Sequence, residues 1–233
     1  MKVAIITGAS RGLGVALARG LAEHGWALVL DARGSDALAG AAGDLADRTT
    51  VRAVPGDITD GAHRRALVAA ALELGDSRID AVVNNASFLG PSPQPALADY
   101  PLGVLRQVYE VNVFAPLALV QEALPSVRSS GRIVNITSDA AVEPYEGWGG
   151  YGSSKAALEQ MTAVLAEERP DLHVYRVDPG DLRTQMHQEA FPGEDISDRP
   201  LPEVAVPGLV RLLEGDVPSG RYRAQELVPA VRS

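Results

Sequence analysis

The chain has 233 residues, a formal net charge of -9, 46% hydrophobic and 22% charged residues, and no cysteine. That balance suits a globular protein and excludes disulfides, thiolate metal sites and thiol nucleophiles, while the acidic charge argues against nucleic acid as a partner. His24, His63, His173 and His187 lack ligand spacing, so no metal is expected, and no apolar run is long enough for a signal core or a membrane span, which predicts a cytoplasmic protein with no membrane partner.

Apolar runs and amphipathic stretches alternate along the chain. "VAII" (3–6) enters a glycine turn that opens a helix over about 12–24. "ALVL" (27–30), a helix near 36–46, "VRAV" (51–54), a helix near 61–74 and "AVV" (81–83) follow. A long helix near 101–127 precedes "RIVNIT" (132–137), and a helix near 151–168 precedes "HVYRV" (173–177). A helix near 203–214 and a short strand near 220–224 close the series. Short apolar strands separated by helices predict a parallel sheet covered on both faces. The expectation is one α/β, doubly wound Rossmann-type domain over 1–233, with about seven strands. Residues 185–201 form the one long irregular stretch and read as a lid.

"TGASRGLG" (7–14) follows the first strand directly. Gly8, Gly12 and Gly14 permit a tight turn and close backbone approach, and the helix start offers free amides to a pyrophosphate. A dinucleotide is the natural ligand of such a turn at this place in an α/β chain. Which one depends on charge near the adenosine ribose. "LVLDARG" (28–34) supplies both Asp31, suited to a 2′-hydroxyl, and Arg33, suited to a 2′-phosphate. Strand alternation puts the two on one side. Arg11 adds a second cation, so NADP(H) is favoured and NAD(H) remains the alternative.

"YGSSK" places Tyr151 and Lys155 one helical turn apart, on one face. A phenol beside an ammonium has its phenolate favoured, which predicts a Tyr151 pKa below its ordinary value of about 10. Ser138 closes the "RIVNIT" strand, where doubly wound sheets bind ligands, and can hold a substrate oxygen as charge develops. In "VYEVNVFAPLALV" (108–120), Pro116 cannot bond the carbonyl of Asn112. The helix should bend there and free that carbonyl.

These motifs, in this order, resemble the short-chain dehydrogenase/reductase family over nearly the whole chain: "TGASRGLG", "GDITD" (56–60), "NNAS" (84–87), Asn112, Ser138, "YGSSK" and "DPGDLRT" (178–184). The resemblance implies a catalytic tetrad of Asn112, Ser138, Tyr151 and Lys155. It implies a dinucleotide held by Gly8, Ser10, Arg11, Gly12, Leu13, Gly14, Arg33, Asp57, Ile58, Asn85, Ala86, Tyr151, Lys155, Pro179, Gly180, Leu182 and Thr184. Asp57 would bind the adenine amino group, Asn84 would brace the central strands, and Thr184 would bind the carboxamide. "AR" after the second strand goes with NADP(H) in that family. Ser87 stands where glycine is commoner.

Ser87, Phe88, Asp139, Tyr145, Trp148 and Met186 are the expected substrate wall, with Leu89, Glu143 and Phe191 near it. The expected activity is hydride transfer between nicotinamide and a small carbonyl or secondary alcohol, with Tyr151 as acid and base. A redox-silent cofactor-binding sensor, or imine reduction, dehydration or epimerisation, are the alternatives. The helix after Tyr151 carries apolar residues beyond one stripe. In the family such helices pair, so a homodimer or homotetramer is expected.

Overall fold

A computed structural model describes residues 1–227. Strands β1 (Val3–Ile6), β2 (Ala27–Ala32), β3 (Val51–Pro55), β4 (Ile79–Asn84), β5 (Val127–Ile136), β6 (His173–Asp178) and β7 (Gly220–Arg223) form one sheet in the order β3-β2-β1-β4-β5-β6-β7. Every neighbouring pair is parallel. This is the doubly wound α/β fold that the alternating pattern predicts.

Strand alternation sorts the core into two layers. Ala4, Ile6, Leu28, Leu30, Val83 and Val134 face helices α1 (Gly12–Glu23), α2 (Ser35–Gly43) and α8 (Val206–Glu214), meeting Leu17, Leu38 and Leu209. Val3, Ile5, Val29, Val82 and Ile133 face the opposite layer, meeting Leu67 of α3 (Gly61–Leu74) and Leu119 and Val120 of α5 (Ala115–Ala123). Both faces are covered, so β1 and β2 are buried along their whole lengths. The chain winds outward in two directions from the β1–β4 pair, and ligand clefts form at that switch point, above the carboxyl ends.

Two elements depart from expectation. The long helix is α4 (Leu102–Tyr109), a π turn (Glu110–Phe114) and α5. Pro116 does not break it. The Ala115 N–H instead reaches back five residues to the Glu110 carbonyl, which widens the helix by one residue at Asn112. The lid is not wholly irregular either, because Gln185–Ala190 forms α7, capped by the Thr184 hydroxyl, which accepts from the His187 N–H at 3.2 Å. No helix among the described residues is long and apolar enough to cross a membrane.

A buried polar chain locks β4 and β5 to α6 (Gly149–Glu168). Asn84 Nδ2 donates to Asn135 Oδ1 at 2.7 Å, and Asn135 Nδ2 donates to Thr162 Oγ1 at 2.7 Å. Asn84 thus braces the central strands as expected. Replacing Asn135 with Ala removes both bonds, leaving Asn84 Nδ2 only its 3.5 Å contact with the Pro116 carbonyl and Thr162 Oγ1 only its bond to the Leu158 carbonyl, and each lost bond is worth about 1–2 kcal/mol in the interior. Asn135→Ala should lower unfolding free energy by about 2–4 kcal/mol, read from urea denaturation.

Candidate functional site

A cavity of about 530 Å³ opens above the carboxyl ends of β1, β2, β4, β5 and β6. Its floor is the turn after β1. Gly8 (φ 65°) and Gly12 (φ 57°) take left-handed conformations that side chains resist. A Cβ on Gly8 would stand 2.8 Å from Ala86 Cα, so the turn can lie against the 84–86 loop only without one. Polar contacts lace that approach. The Thr7 hydroxyl accepts from the Asn85 and Ala86 amides at 3.0 and 2.9 Å, and Asn85 Nδ2 donates to the carbonyls of Thr7 (2.8 Å) and Gly8 (3.1 Å). Helix α1 then starts with no side-chain cap, so its first amides are free for an anion.

Ser10, Arg11, Gly12, Leu13, Arg33, Asp57, Ile58, Asn85, Ala86, Pro179, Gly180, Leu182 and Thr184 all line this cavity with Gly8. Gly14 does not. A Cβ there would meet the Gly8 carbonyl oxygen, so its smallness serves the packing of helix on turn. Asp57 Oδ1 accepts from the Thr59 amide and hydroxyl at 2.9 and 2.8 Å, and these bonds hold its carboxyl below the ordinary value. The cradle therefore fits a dinucleotide: a free helix start for the pyrophosphate and a carboxylate on the adenosine side.

Asp31 and Arg33 both line this cavity, as the alternation of β2 predicts, but they differ in exposure. Strand β2 stops at Ala32, and Arg33 is exposed while Asp31 is only 2% exposed. Asp31 pairs with His63, a residue that spacing gave no reason to select, at 2.6 Å.

Tyr151 and Lys155 lie on α6, and both line the cavity with Ser138. Lys155 is 2% exposed, its Nζ donates to the Ile136 carbonyl at 2.8 Å, and it stands 5.5 Å from the Tyr151 ring centre. Burial pushes the Tyr151 phenol up to about 12 and the Lys155 ammonium down to about 7. The expected lowering of the tyrosine by the lysine is thus reversed. Removing both groups from water disfavours both charges, and the Asp139 and Asp178 carboxylates add to the rise of the phenol. The Ser87 hydroxyl, beside the phenol, acts in the lowering direction.

Asn112 is fully buried and stands behind the cavity wall rather than on it. Its Oδ1 accepts from the Phe88 amide (2.8 Å) and the Ser87 hydroxyl (3.2 Å). Its Nδ2 donates to the Phe88 carbonyl (2.9 Å) and to Ser154 Oγ (3.0 Å). All four of its side-chain hydrogen-bonding positions are thus taken by Ser87, Phe88 and Ser154, which it holds in place.

Ser138 donates to Asp139 Oδ1 at 2.8 Å, and Tyr145 donates to Asp139 Oδ2 at 3.0 Å. Burial raises the Asp139 carboxyl, but the bonds from Ser138, Tyr145 and the Ala140 amide outweigh it and hold the group low. Ser87, Phe88, Leu89, Trp148 and Met186 line the cavity as expected. Tyr145 does not; it is 46% exposed and reaches the site through its bond to Asp139 and its edge-on contact with Trp148, ring centres 6.4 Å apart. Glu143 and Phe191 are also off the wall, although the Phe191 ring sits 5.8 Å from Trp148 and Trp148 meets Tyr151 edge-on at 5.8 Å. Sequence reasoning gave no role to Arg221 of β7, which donates to the Ser138 carbonyl at 3.3 Å and pairs with Glu159 at 2.9 Å. Nothing local to "GRYR" signals that contact.

The sequence matches the family model described as short chain dehydrogenase over residues 2–195. The chain belongs to the short-chain dehydrogenase family. It is 36% identical over 180 residues to the rhamnolipids biosynthesis 3-oxoacyl-[acyl-carrier-protein] reductase of Pseudomonas aeruginosa, covering 74% of this chain and 69% of that one. It is 34% identical over 200 residues to the benzil reductase ((S)-benzoin forming) of Saccharomyces cerevisiae, covering 81% and 74%. A short-chain dehydrogenase of Shigella flexneri, solved in complex with NADP, superposes with a TM-score of 0.87 at 28% identity, covering 96% of this chain and 97% of that one. As a member of this family the chain is an NAD(P)-dependent oxidoreductase.

The lysine shift sets a pH dependence for this short-chain dehydrogenase. Unfolded, Lys155 keeps its proton up to about 10.5; folded, it keeps it only up to about 7. Between those values the unfolded chain binds the extra proton, so raising the pH favours the fold. Stability of the cofactor-free protein should rise across pH 7–9, with a contribution from Lys155 approaching ~1.4 kcal/mol per pH unit, and Lys155→Met should lose that contribution. Urea titrations of both proteins at several pH values measure it; equal slopes would refute the buried-lysine account.

Proposed function

We propose that this chain is an NADP(H)-dependent reductase of ketones and aldehydes, with Tyr151 as the proton donor. One observation carries the reading: Tyr151, Ser138 and Lys155 line the same cavity as the glycine turn, and Arg11 and Arg33 stand at its adenosine end. Two cations without a salt bridge among the described residues suit a 2′-phosphate. Asp31, which would favour NADH, is engaged with His63. The Shigella relative's complex with NADP points the same way.

NADPH, when bound, supplies the hydride. Lys155 would hold its nicotinamide ribose and Thr184 its carboxamide. Tyr151 is held neutral by burial, so it is a donor poised for reduction rather than a resident phenolate. As the substrate carbonyl gains negative charge, Tyr151 gives its proton to that oxygen. Ser138 must turn its hydroxyl from Asp139 toward the same oxygen to hold the charge. The Ser87 hydroxyl can then turn from Asn112 to the new phenolate, while Asn112 keeps its bond from the Phe88 amide.

The wall around Tyr151 is apolar, built from Leu89, Trp148, Met186 and Ala190. A carbonyl flanked by an aromatic or branched apolar group fits it, in keeping with the benzil reductase of yeast.

Tyr151→Phe should cut turnover by about 10²–10⁴-fold and leave NADPH binding unchanged. Unchanged turnover would remove the mechanism. Arg33→Ala should weaken NADPH binding by about tenfold, the worth of one charge-assisted contact, with little effect on NADH. Fluorescence titration with both nucleotides reads this, and a wild-type preference for NADH would overturn the cofactor assignment.

A further inference from the structure

The end of β2 carries a carboxylate that a 2′-phosphate site should not tolerate. Asp31 borders the adenosine end of the cavity, beside Ala32 and Arg33. An unpaired anion there would repel a bound phosphate and would accept a hydrogen bond from a 2′-hydroxyl. Yet this carboxylate is turned inward. Oδ1 takes the Nε2–H of His63 at 2.6 Å, and Oδ2 faces the Gly8 N–H at 3.4 Å. A carboxylate can only accept, so Nε2 carries the proton.

His63 is placed for this task by its own element. Asp60 caps α3, its Oδ1 accepting from the Ala62 N–H at 2.9 Å, and His63 lies in the first turn that follows. Its ring runs under Gly56, where a Cβ would overlap the imidazole. The residue is 8% exposed and is not on the wall of this cavity, so it does not itself meet a nucleotide there. Burial raises the Asp31 carboxyl and His63 opposes that, as a partner of the ionised form does.

We propose that His63 is a positioning residue for nucleotide selection: by holding Asp31 against the underside of the glycine turn, it clears the adenosine end for a 2′-phosphate. This rests on the NADP(H) reading above and adds what keeps the neighbouring carboxylate from opposing it. Without His63, Asp31 must either protonate or turn out into the cavity, where it meets the ribose. The second outcome favours NADH.

The test is the ratio of NADPH to NADH affinity, measured by equilibrium fluorescence titration. His63→Leu should lower that ratio by about tenfold, the effect of ~1.4 kcal/mol of anion repulsion. Adding Asp31→Ala to His63→Leu should restore it, because the offending charge is gone. His63→Gln, which keeps a donor, should stay near the wild-type ratio. A histidine that serves only the fold would weaken both nucleotides together and leave the ratio unchanged, which overturns the proposal. Should His63→Leu not fold, His63→Asn, whose side chain is too short to hold Asp31, gives the same comparison with and without Asp31→Ala: a ratio lowered in the first and restored in the second supports the proposal, and a ratio unchanged in both overturns it. A wild-type preference for NADH would defeat the cofactor reading, while the shift in ratio still judges His63.

Discussion

The four hydrogen bonds of the Asn112 side chain are the constraint on which the catalytic end depends. They join three segments: the π turn of the long helix, the 87–88 loop after β4, and Ser154 on α6. Ser154 passes the constraint on by donating to the Tyr151 carbonyl at 2.6 Å. The position of the phenol is therefore set through backbone and hydroxyl contacts. An amide is suited to this, since it donates twice and accepts twice with no charge to bury. The π turn is what aims it inward. An unwidened helix would carry the residues after Tyr109 around by a different angle, and Asn112 would leave the interface.

The same burial that fixes these groups decides their electrostatics. A phenol and an ammonium in contact with water would each ionise close to their ordinary values. Here both lose water, and both shift toward the neutral form. Proximity of opposite charges lowers a phenol only when the attraction exceeds the desolvation cost of the pair. The sequence pattern shows proximity and cannot show burial, so it predicts the wrong sign. A donor that stays protonated suits reduction. A bound cationic nicotinamide would add positive charge beside the phenol and act against the burial.

Much of the fold was legible because the physics behind it is local. Two-sided burial of a parallel sheet writes apolar runs such as "VAII" and "ALVL", and a phosphate turn needs glycines at fixed places. What escaped is set by contacts distant in sequence. Asp31 and His63 are 32 residues apart, and only the register of β2 with α3 shows that they touch. Arg221 reaches Ser138 across 83 residues. Tyr145 looked like wall because it lies between two wall residues, but its loop turns it outward, and it acts through Asp139 and Trp148 instead. Pro116 was legible as a defect in helical bonding, but not as the wider turn that absorbs it. Two alternatives, a kink and a π turn, satisfy the same missing N–H.

The Ser138–Asp139 bond bears on how the site takes a substrate. Ser138 has one proton, and in the absence of substrate Asp139 takes it. Asp139 stays ionised because Tyr145 and the Ala140 amide support it as well, so it cannot return a proton to the serine. A substrate oxygen must then compete with a carboxylate for the serine hydroxyl. A neutral carbonyl is a weaker acceptor than a carboxylate and competes poorly, whereas an oxygen bearing developing negative charge competes well. The exchange leaves Asp139 with two of its three donors, so its loss is small. Ser138 is thereby biased to bind the reacting oxygen late, when charge has formed, and a group that binds the transition state better than the ground state raises turnover and not merely affinity.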